Sequence, residues 1–349
     1  MTLVEIAACQ VHVTAADYVS EDSFAAMLER LGKRLVRARA RDEKGKPLHP
    51  CLVVFPEMIG TFLPMAGRSR VIGSAKTTDQ ALTRVALRSL PSVVAAMRKG
   101  HTLSTKVGFL LAAAPEVRRI YRSAFSAFAK EHGVWTVAGS VLLPRNVHGE
   151  TADVFEPQDG RVYNTSYAFA PDGRHIGATR KVNLVPTLED TLGLSPGEAR
   201  DIEPFETPFG GVATLICYDG FLVPHTRGEP HFTRLVPACD ARGASVVAHP
   251  AANPWAWEER WVFAEEGERQ LRKEQWQCEG IFASLGGGRF SNVKYAVTAH
   301  LVGDVLDNHF EGRSQILERT EHGVNVIAEA ARAGSTRADE EVVLRAVEL

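Results

Sequence analysis

Val212-Ala-Thr-Leu-Ile-Cys217-Tyr-Asp219-Gly-Phe221 is a short apolar run that ends in a sharp aromatic and acidic exit. A run this short, stopped by Tyr-Asp-Gly, reads as a buried strand that delivers its last residue to the mouth of a sheet. Two more stretches share the form. Cys51-Leu-Val-Val-Phe-Pro-Glu57 is an apolar strand stopped by Pro56, with an acid behind it. Arg180-Lys-Val-Asn-Leu-Val-Pro-Thr-Leu-Glu189 sets a basic pair ahead of a Pro-containing turn and a second acid. Around these, strands are expected at 3–13, 134–143, 162–170, 175–182, 244–249, 281–285, 314–317, 324–329 and 342–347. Helical spacing predicts helices over 24–41, over 82–97 with Pro91 as a break, over 116–132 with Gly133 as a cap, and over 258–279. Strands alternating with helices mean a layered α/β architecture. With no repeat, linker or low-complexity tract, one domain over 1–349 is the simpler organisation.

Composition narrows the class. The chain has 349 residues, 45% apolar and 23% charged, which is an ordinary globular profile. A net charge of −2 without a basic block gives no support to nucleic acid or an anionic membrane as partner. Cysteines stand at 9, 51, 217, 239 and 278, an odd number with no CxxC, so neither a disulfide framework nor a zinc site is expected. The amino terminus has no basic stretch followed by an apolar one, and no apolar run approaches the roughly 20 residues of a membrane helix. A cytoplasmic, thiol-reducing location is the expectation.

Taken singly, the chemical candidates have bland readings. A strand Cys is more often a small buried hydrophobe, a loop Glu a solvated acid, a strand Lys a snorkelling cation. Together they supply a base, a cation and a soft nucleophile. A free thiol of pKa about 8.5 is only a few per cent thiolate at neutral pH. A carboxylate within reach can take its proton, a contribution of roughly 10²–10⁴ in rate. An ammonium lowers the thiol pKa and stabilises a tetrahedral oxyanion, helped by backbone N–H groups at the strand exit. The acid so formed can protonate a leaving amine and then activate water against the thioester. Such a set cleaves a carbon–nitrogen bond with no metal and no cofactor.

At these residues the chain resembles the nitrilase superfamily of carbon–nitrogen hydrolases. The resemblance rests on Phe-Pro-Glu57, Thr-Arg-Lys181-Val and Leu-Ile-Cys217-Tyr-Asp, in the family's order, with Glu189 matching its additional acid. Flanking marks agree: Ile-Ala-Ala-Cys-Gln10, Val137-Ala-Gly-Ser140, Tyr163-Asn-Thr165, Pro-Asp-Gly173, Ala248-His-Pro250 and Glu311-Gly-Arg-Ser314. It implies an α/β fold in which two mixed sheets form an αββα sandwich, paired through helices into a homodimer or larger homo-oligomer. It also implies Glu57 as general base and acid, Lys181 as the intermediate's stabiliser, Cys217 as nucleophile and Glu189 as a supporting acid. The Tyr218 amide would be an oxyanion donor, and Asp219, His249 and Asn253 are candidates for contacting substrate, although a hydrogen-bonded structural role is commoner for a His such as His249.

The family's chemistry spans amides, N-carbamoyl compounds and nitriles, and transfer of the acyl group to an amine. Cys217 followed by Tyr-Asp, and the longer spacing from Lys181 to Glu189, lean toward a small amide or N-carbamoyl compound with release of ammonia. A nitrilase, an acyltransferase or amide-forming enzyme, and a non-catalytic binding member of the fold stay open. The sequence departs from the family pattern in a longer, helical 62–116 segment, read as a surface elaboration or dimer contact ahead of a lid. It departs again at Pro224–Asp240 and at Gln277–Gly288. Gly286-Gly-Gly288 reads as a turn, and Trp257 and Trp261 as packing residues at helical spacing.

Overall fold

Leu3–Thr14 (β1) is buried along almost its whole length, and both sheets are built on it. The computed structural model describes residues 2–68, 73–189, 191–226, 229, 231–264 and 266–349. After β1 come α1 (Glu21–Ala38), β2 (Cys51–Val54), α2 (Thr78–Arg88), α3 (Leu90–Lys99), α4 (Thr105–His132), β3 (Trp135–Val137), β4 (Val141–Leu143), β5 (Tyr163–Phe169) and β6 (His175–Arg180). The second part runs β7 (Phe205–Thr207), β8 (Gly210–Thr214), α5 (Val236–Ala241), β9 (Ala244–Ala252), α6 (Arg272–Glu279), α7 (Ile281–Gly286) and β10 (Tyr295–Val305). It closes with β11 (Asn308–Phe310), β12 (Gln315–Thr320), β13 (Gly323–Glu329) and β14 (Glu341–Glu348).

The first sheet has the order β14-β1-β2-β3-β5, with β4 and β6 also on β5; β1, β2 and β3 are parallel and the other pairs antiparallel. The second has the order β7-β8-β9-β10-β12-β13, parallel at β8-β9-β10 and antiparallel outside. The end of β1 pairs in parallel with β10, Val11 opposite Leu301, so the two sheets join into one curled mixed sheet. Ile6, Ala8, Val54 and Val137 face Val246, Ala248, Val297 and Ala299 between the sheets. Outside the first sheet, Phe24, Leu28 and Leu31 of α1 and Ile120, Tyr121 and Phe125 of α4 pack on Cys9, Val53 and Phe55. Outside the second, Val236 of α5 and Ile281 and Leu285 of α7 cover Ala213, Val247 and Ala296. The order helix, sheet, sheet, helix is the expected sandwich.

Local chemistry explains most elements. Ser20 caps α1 by accepting the Ser23 N–H at 3.1 Å, and the buried positions of α1 recur every three or four residues. Pro91 stands in the first turn of α3, where a missing N–H costs nothing, so it separates α2 from α3. Four expectations need correction. α4 starts at Thr105 rather than 116 and runs through Pro115, because Val107, Phe109, Leu110 and Leu111 pack against Val85, Val93, Leu142 and Leu194. Of 258–279 only 272–279 is helical; Arg260 and Leu271 form an antiparallel bridge, and Gly267 turns at φ +90°. Trp257 and Trp261 therefore pack, but from a loop. Residues 281–286 are helical, not a strand, since so short an apolar run has no period of its own. The long central β10 has no counterpart among the expected strands. Of the helical 62–116 segment, 69–72 lie outside the described residues.

Candidate active site

Glu57 sits three residues beyond the end of β2, on a turn clamped by the link between β3 and β4. The Met58 N–H donates to Ser140 Oγ and the Gly60 N–H to the Ser140 carbonyl, each at 2.9 Å. Gly139 adopts φ +74°, and a Cβ there would lie 2.1 Å from the Pro56 carbonyl oxygen. Only glycine allows this approach, which presses the Glu57 turn inward. Ala138-Gly-Ser140 thus shapes the acid's position from across the sheet.

Lys181 follows β6 and is fully enclosed. Its Nζ donates to Glu57 Oε1 at 2.8 Å and lies 2.6 Å from Glu189 Oε2. The Asn164 amide closes the ring, its Nδ2 donating to Glu57 Oε1 at 2.8 Å and to Glu189 Oε1 at 2.9 Å. The Val185 N–H also donates to Glu189 Oε2, at 2.9 Å. Two carboxylates around one ammonium leave the cluster one negative charge in excess. Burial pulls the Lys181 ammonium down, but Glu189 and Glu57 outweigh it and hold it well above its usual value. Burial pushes the Glu57 carboxyl up, with Glu189 adding repulsion and Lys181 opposing.

Cys217 begins a single tight turn, 217–220, after β8, and has φ +50°, a left-handed conformation uncommon outside glycine. Three contacts hold it there. Asp219 accepts the Asn183 N–H at 2.7 Å, the Val182 N–H at 3.1 Å and the Ile216 N–H at 3.3 Å, tying this turn to the segment just after Lys181. The buried His249 ring donates from Nε2 to the Cys217 carbonyl at 2.7 Å, and its Nδ1 lies 3.0 Å from Thr298 Oγ1. Burial lowers the His249 pKa to about 4, so the ring is neutral. The thiol lies 3.5 Å from the Ala252 carbonyl oxygen, and burial, reinforced by the Glu57 charge, pushes it upward. Tyr218 occupies the first turn behind Cys217, where N–H groups have no acceptor within the turn itself.

Glu57, Lys181, Glu189 and Cys217 line one cavity of about 220 Å³, with Asn164 among them. Its other walls are largely apolar: Leu142, Val185, Leu188, Leu192, Leu194 and Trp255. The 62–116 helices pack behind Leu142 and Leu194, so this segment buttresses the cavity. Asp219, His249 and Asn253 do not line it. They are completely buried behind its wall, with their polar atoms on protein partners; Asn253 donates to the carbonyls of Trp255 at 2.6 Å and Glu311 at 3.0 Å. Asn164, Arg272 and His225 line the cavity without having been singled out. For Asn164 the flank Tyr163-Asn-Thr165 is a signal; His225 lies in the departing Pro224–Asp240 stretch, and Arg272 reads only as one charged residue of the helix expected over 258–279. Among the described residues no group of three or more His, Cys, Asp and Glu is arranged to hold a metal, and no helix is long and apolar enough to cross a membrane.

The family model for carbon-nitrogen hydrolase matches residues 6–227. The omega-amidase NIT2 of Homo sapiens is 29% identical over 145 residues, 38% of this chain. A hydrolase of Schizosaccharomyces pombe, C26A3.11, is 28% identical over 147 residues, 39% of this chain. The chain matches less than half the length of each, 44% and 38%. Among solved structures, a carbon-nitrogen hydrolase from Helicobacter pylori G27 superposes with a TM-score of 0.58 at 15% identity, covering 99% of this chain and 89% of that one. A mutant amidase from Nesterenkonia sp. AN1, with the acetamide moiety of fluoroacetamide added covalently at its active site cysteine, gives 0.56 at 15%, covering 99% and 91%. Both describe the fold seen here.

Proposed function

Because the chain belongs to the carbon–nitrogen hydrolase family, we propose that it hydrolyses a small amide or N-carbamoyl compound through a thioester on Cys217. One observation carries this reading: Glu57, Lys181 and Cys217, from three separate strand ends, converge on one small cavity with Glu189 behind them. The contacts support the following mechanism. Glu57 takes the thiol proton as sulfur attacks the carbonyl carbon. The oxyanion forms against the Lys181 ammonium and the Tyr218 N–H. On collapse the C–N bond breaks, and the proton held by Glu57 leaves with ammonia. Water enters, loses a proton to Glu57 and attacks the thioester carbonyl; a second collapse releases the acid and restores the thiol. Glu189 keeps a carboxylate on Lys181 while Glu57 is protonated, so the ammonium never stands unpaired in a buried site.

The raised thiol makes a base necessary, because few molecules hold the thiolate beforehand. Removing either group is the test. Cys217→Ala is expected to abolish ammonia release, and Glu57→Gln to lower it by roughly 10²–10⁴ with the fold retained. Full turnover in either variant would remove that residue from its role. A screen for ammonia release across nitriles, primary amides and N-carbamoyl compounds, with hydroxylamine as competing acceptor, separates hydrolase from nitrilase and transferase. A slow amide should add its acyl mass at Cys217. The same premise makes a homodimer or larger homo-oligomer the expected assembly, which sedimentation velocity measures.

A further inference from the structure

Arg272 opens α6 in the wall of the same cavity and is 1% exposed. Its guanidinium is caged by indoles, 3.8 Å from the Trp261 ring centre, 4.8 Å from Trp255 and 5.5 Å from Trp276. Its hydrogen bonds go to two neutral amides: Nε donates to Asn253 Oδ1 at 2.8 Å and Nη1 to Gln275 Oε1 at 2.5 Å. Among the described residues no carboxylate lies within ion-pair distance, and Nη2 has no acceptor. The nearest acid along this network is Glu279, one step removed through the Gln275 amide, whose Nε2 donates to Glu279 Oε2 at 2.7 Å. A buried charge without a counter-ion is costly, and stacking on aromatic rings returns only part of that cost. An apolar side chain would fill the indole cage without that cost.

A second unsatisfied group stands beside it. His225 lines the cavity, is 7% exposed, and neither ring nitrogen has a hydrogen-bond partner among the described residues. Its ring packs on Tyr218, centroids 3.9 Å apart, and on Trp261 at 5.1 Å, so it shares Trp261 with Arg272. The Arg272 charge acts on the His225 ring, and burial keeps that ring neutral, with one N–H to donate. Arg272 and Cys217 both line this cavity, so cation and sulfur face the same space. Among the described residues, a largely apolar chamber thus holds a reacting thiol and, apart from the Lys181 cluster, one cation with no anion of its own.

We infer that Arg272, with the His225 N–H beside it, anchors a carboxylate carried on the acyl side of the substrate, making this site selective for anionic over neutral amides. This rests on the amide-hydrolase reading and narrows it. Two chemistries present such a group: monoamides of short dicarboxylic acids and N-carbamoyl amino acids. The anion completes the pairing that Arg272 lacks and fixes the distance from anchor to scissile carbonyl. Arg272 thereby determines specificity, while the bond-breaking steps stay with Glu57, Lys181 and Cys217.

The test compares isosteric pairs, succinamate with succinamide and N-carbamoylglycine with N-carbamoylglycinamide. For at least one pair, kcat/KM should favour the anion roughly 10- to 100-fold, a charge-assisted Arg–carboxylate contact being worth more than a neutral one. Arg272→Gln should reduce that ratio at least tenfold, and Arg272→Lys should recover part of it. Calorimetric titration of the same compounds into Cys217→Ala reads binding without turnover, and the anion's advantage should vanish in Cys217→Ala/Arg272→Gln. Equal or reversed preference in the parent protein for both pairs overturns the inference. So does an equal fall for both members of a pair in Arg272→Gln, which would make the cage a packing device. Absence of any turnover, with anion binding that still depends on Arg272, sinks the hydrolase reading and leaves the anchor standing. Should Arg272→Gln not fold, the parent ratios and Arg272→Lys decide.

Discussion

At the scale of single residues, the site is a problem of charge. One ammonium, two carboxylates and a thiol share a volume from which water is nearly excluded. In such a medium each charge is tolerable only because another is within about 3 Å. If Lys181 serves the oxyanion, Lys181→Met should lower kcat by roughly 10²–10³ and change KM little. A change confined to KM would recast it as a substrate anchor. The pH profile carries a second signature. Burial holds the Glu57 carboxyl above its usual range, and only its deprotonated form can accept the thiol proton. Activity should therefore fall as pH drops through a value above the ordinary Glu pKa of about 4.3. An acid limb in kcat/KM at or below that value would contradict Glu57 as the base.

Among the elements, what matters is how short links between strands aim the residues at their tips. The 217–220 turn is held by Asp219 to the segment after Lys181 and by His249 to β9, so three strands meet at Cys217. Gly220 lies against that His249 contact; a Cβ there would stand 2.5 Å from His249 Nε2. Gly220→Ala should displace the ring, release the Cys217 carbonyl and cost about 1–3 kcal/mol in stability by overpacking. Activity should fall further than stability at a temperature where the variant stays folded. A variant with a parental melting temperature and parental turnover would show that the imidazole does not hold the turn. The flank Val137-Ala-Gly-Ser140 acquires a reason in the same way, as a clamp on the Glu57 turn.

For the whole molecule, β1 is a member of both sheets, so neither half has an edge at which it could separate from the other. The 62–116 helices join the same structure through the cluster behind Leu142 and Leu194. On this ground one cooperative unit is proposed over the chain, and calorimetry should record a single unfolding transition. Two resolved transitions, or a stable proteolytic half, would count against it. The same topology explains the site's location. In α/β sheets ligands gather beyond the carboxyl ends of parallel strands, and Glu57 and Cys217 both follow such ends.

How much was legible follows from the length scale of each determinant. Residue type and chain order carried the proposed reacting set, because Glu57, Lys181, Glu189 and Cys217 each follow a recognisable apolar strand or turn. Period carried α1 and the second half of α4, where an amphipathic face repeats locally. It failed for 281–286, too short to have a period, for 258–271, where the loop is shaped by burying Trp261 against Arg272, and for β10, whose identity comes from its neighbours on both sides. Asn164, His225 and Arg272 belong with these failures: a polar side chain far from the reacting residues in sequence enters a cavity only once sheets and loops have closed around it. Residue type and order alone made legible the layered α/β architecture and the residues proposed to break the bond. Only the tertiary structure decided which side chains enclose the cavity and which cation stands there unpaired, because burial and pairing are properties of contacts between distant segments.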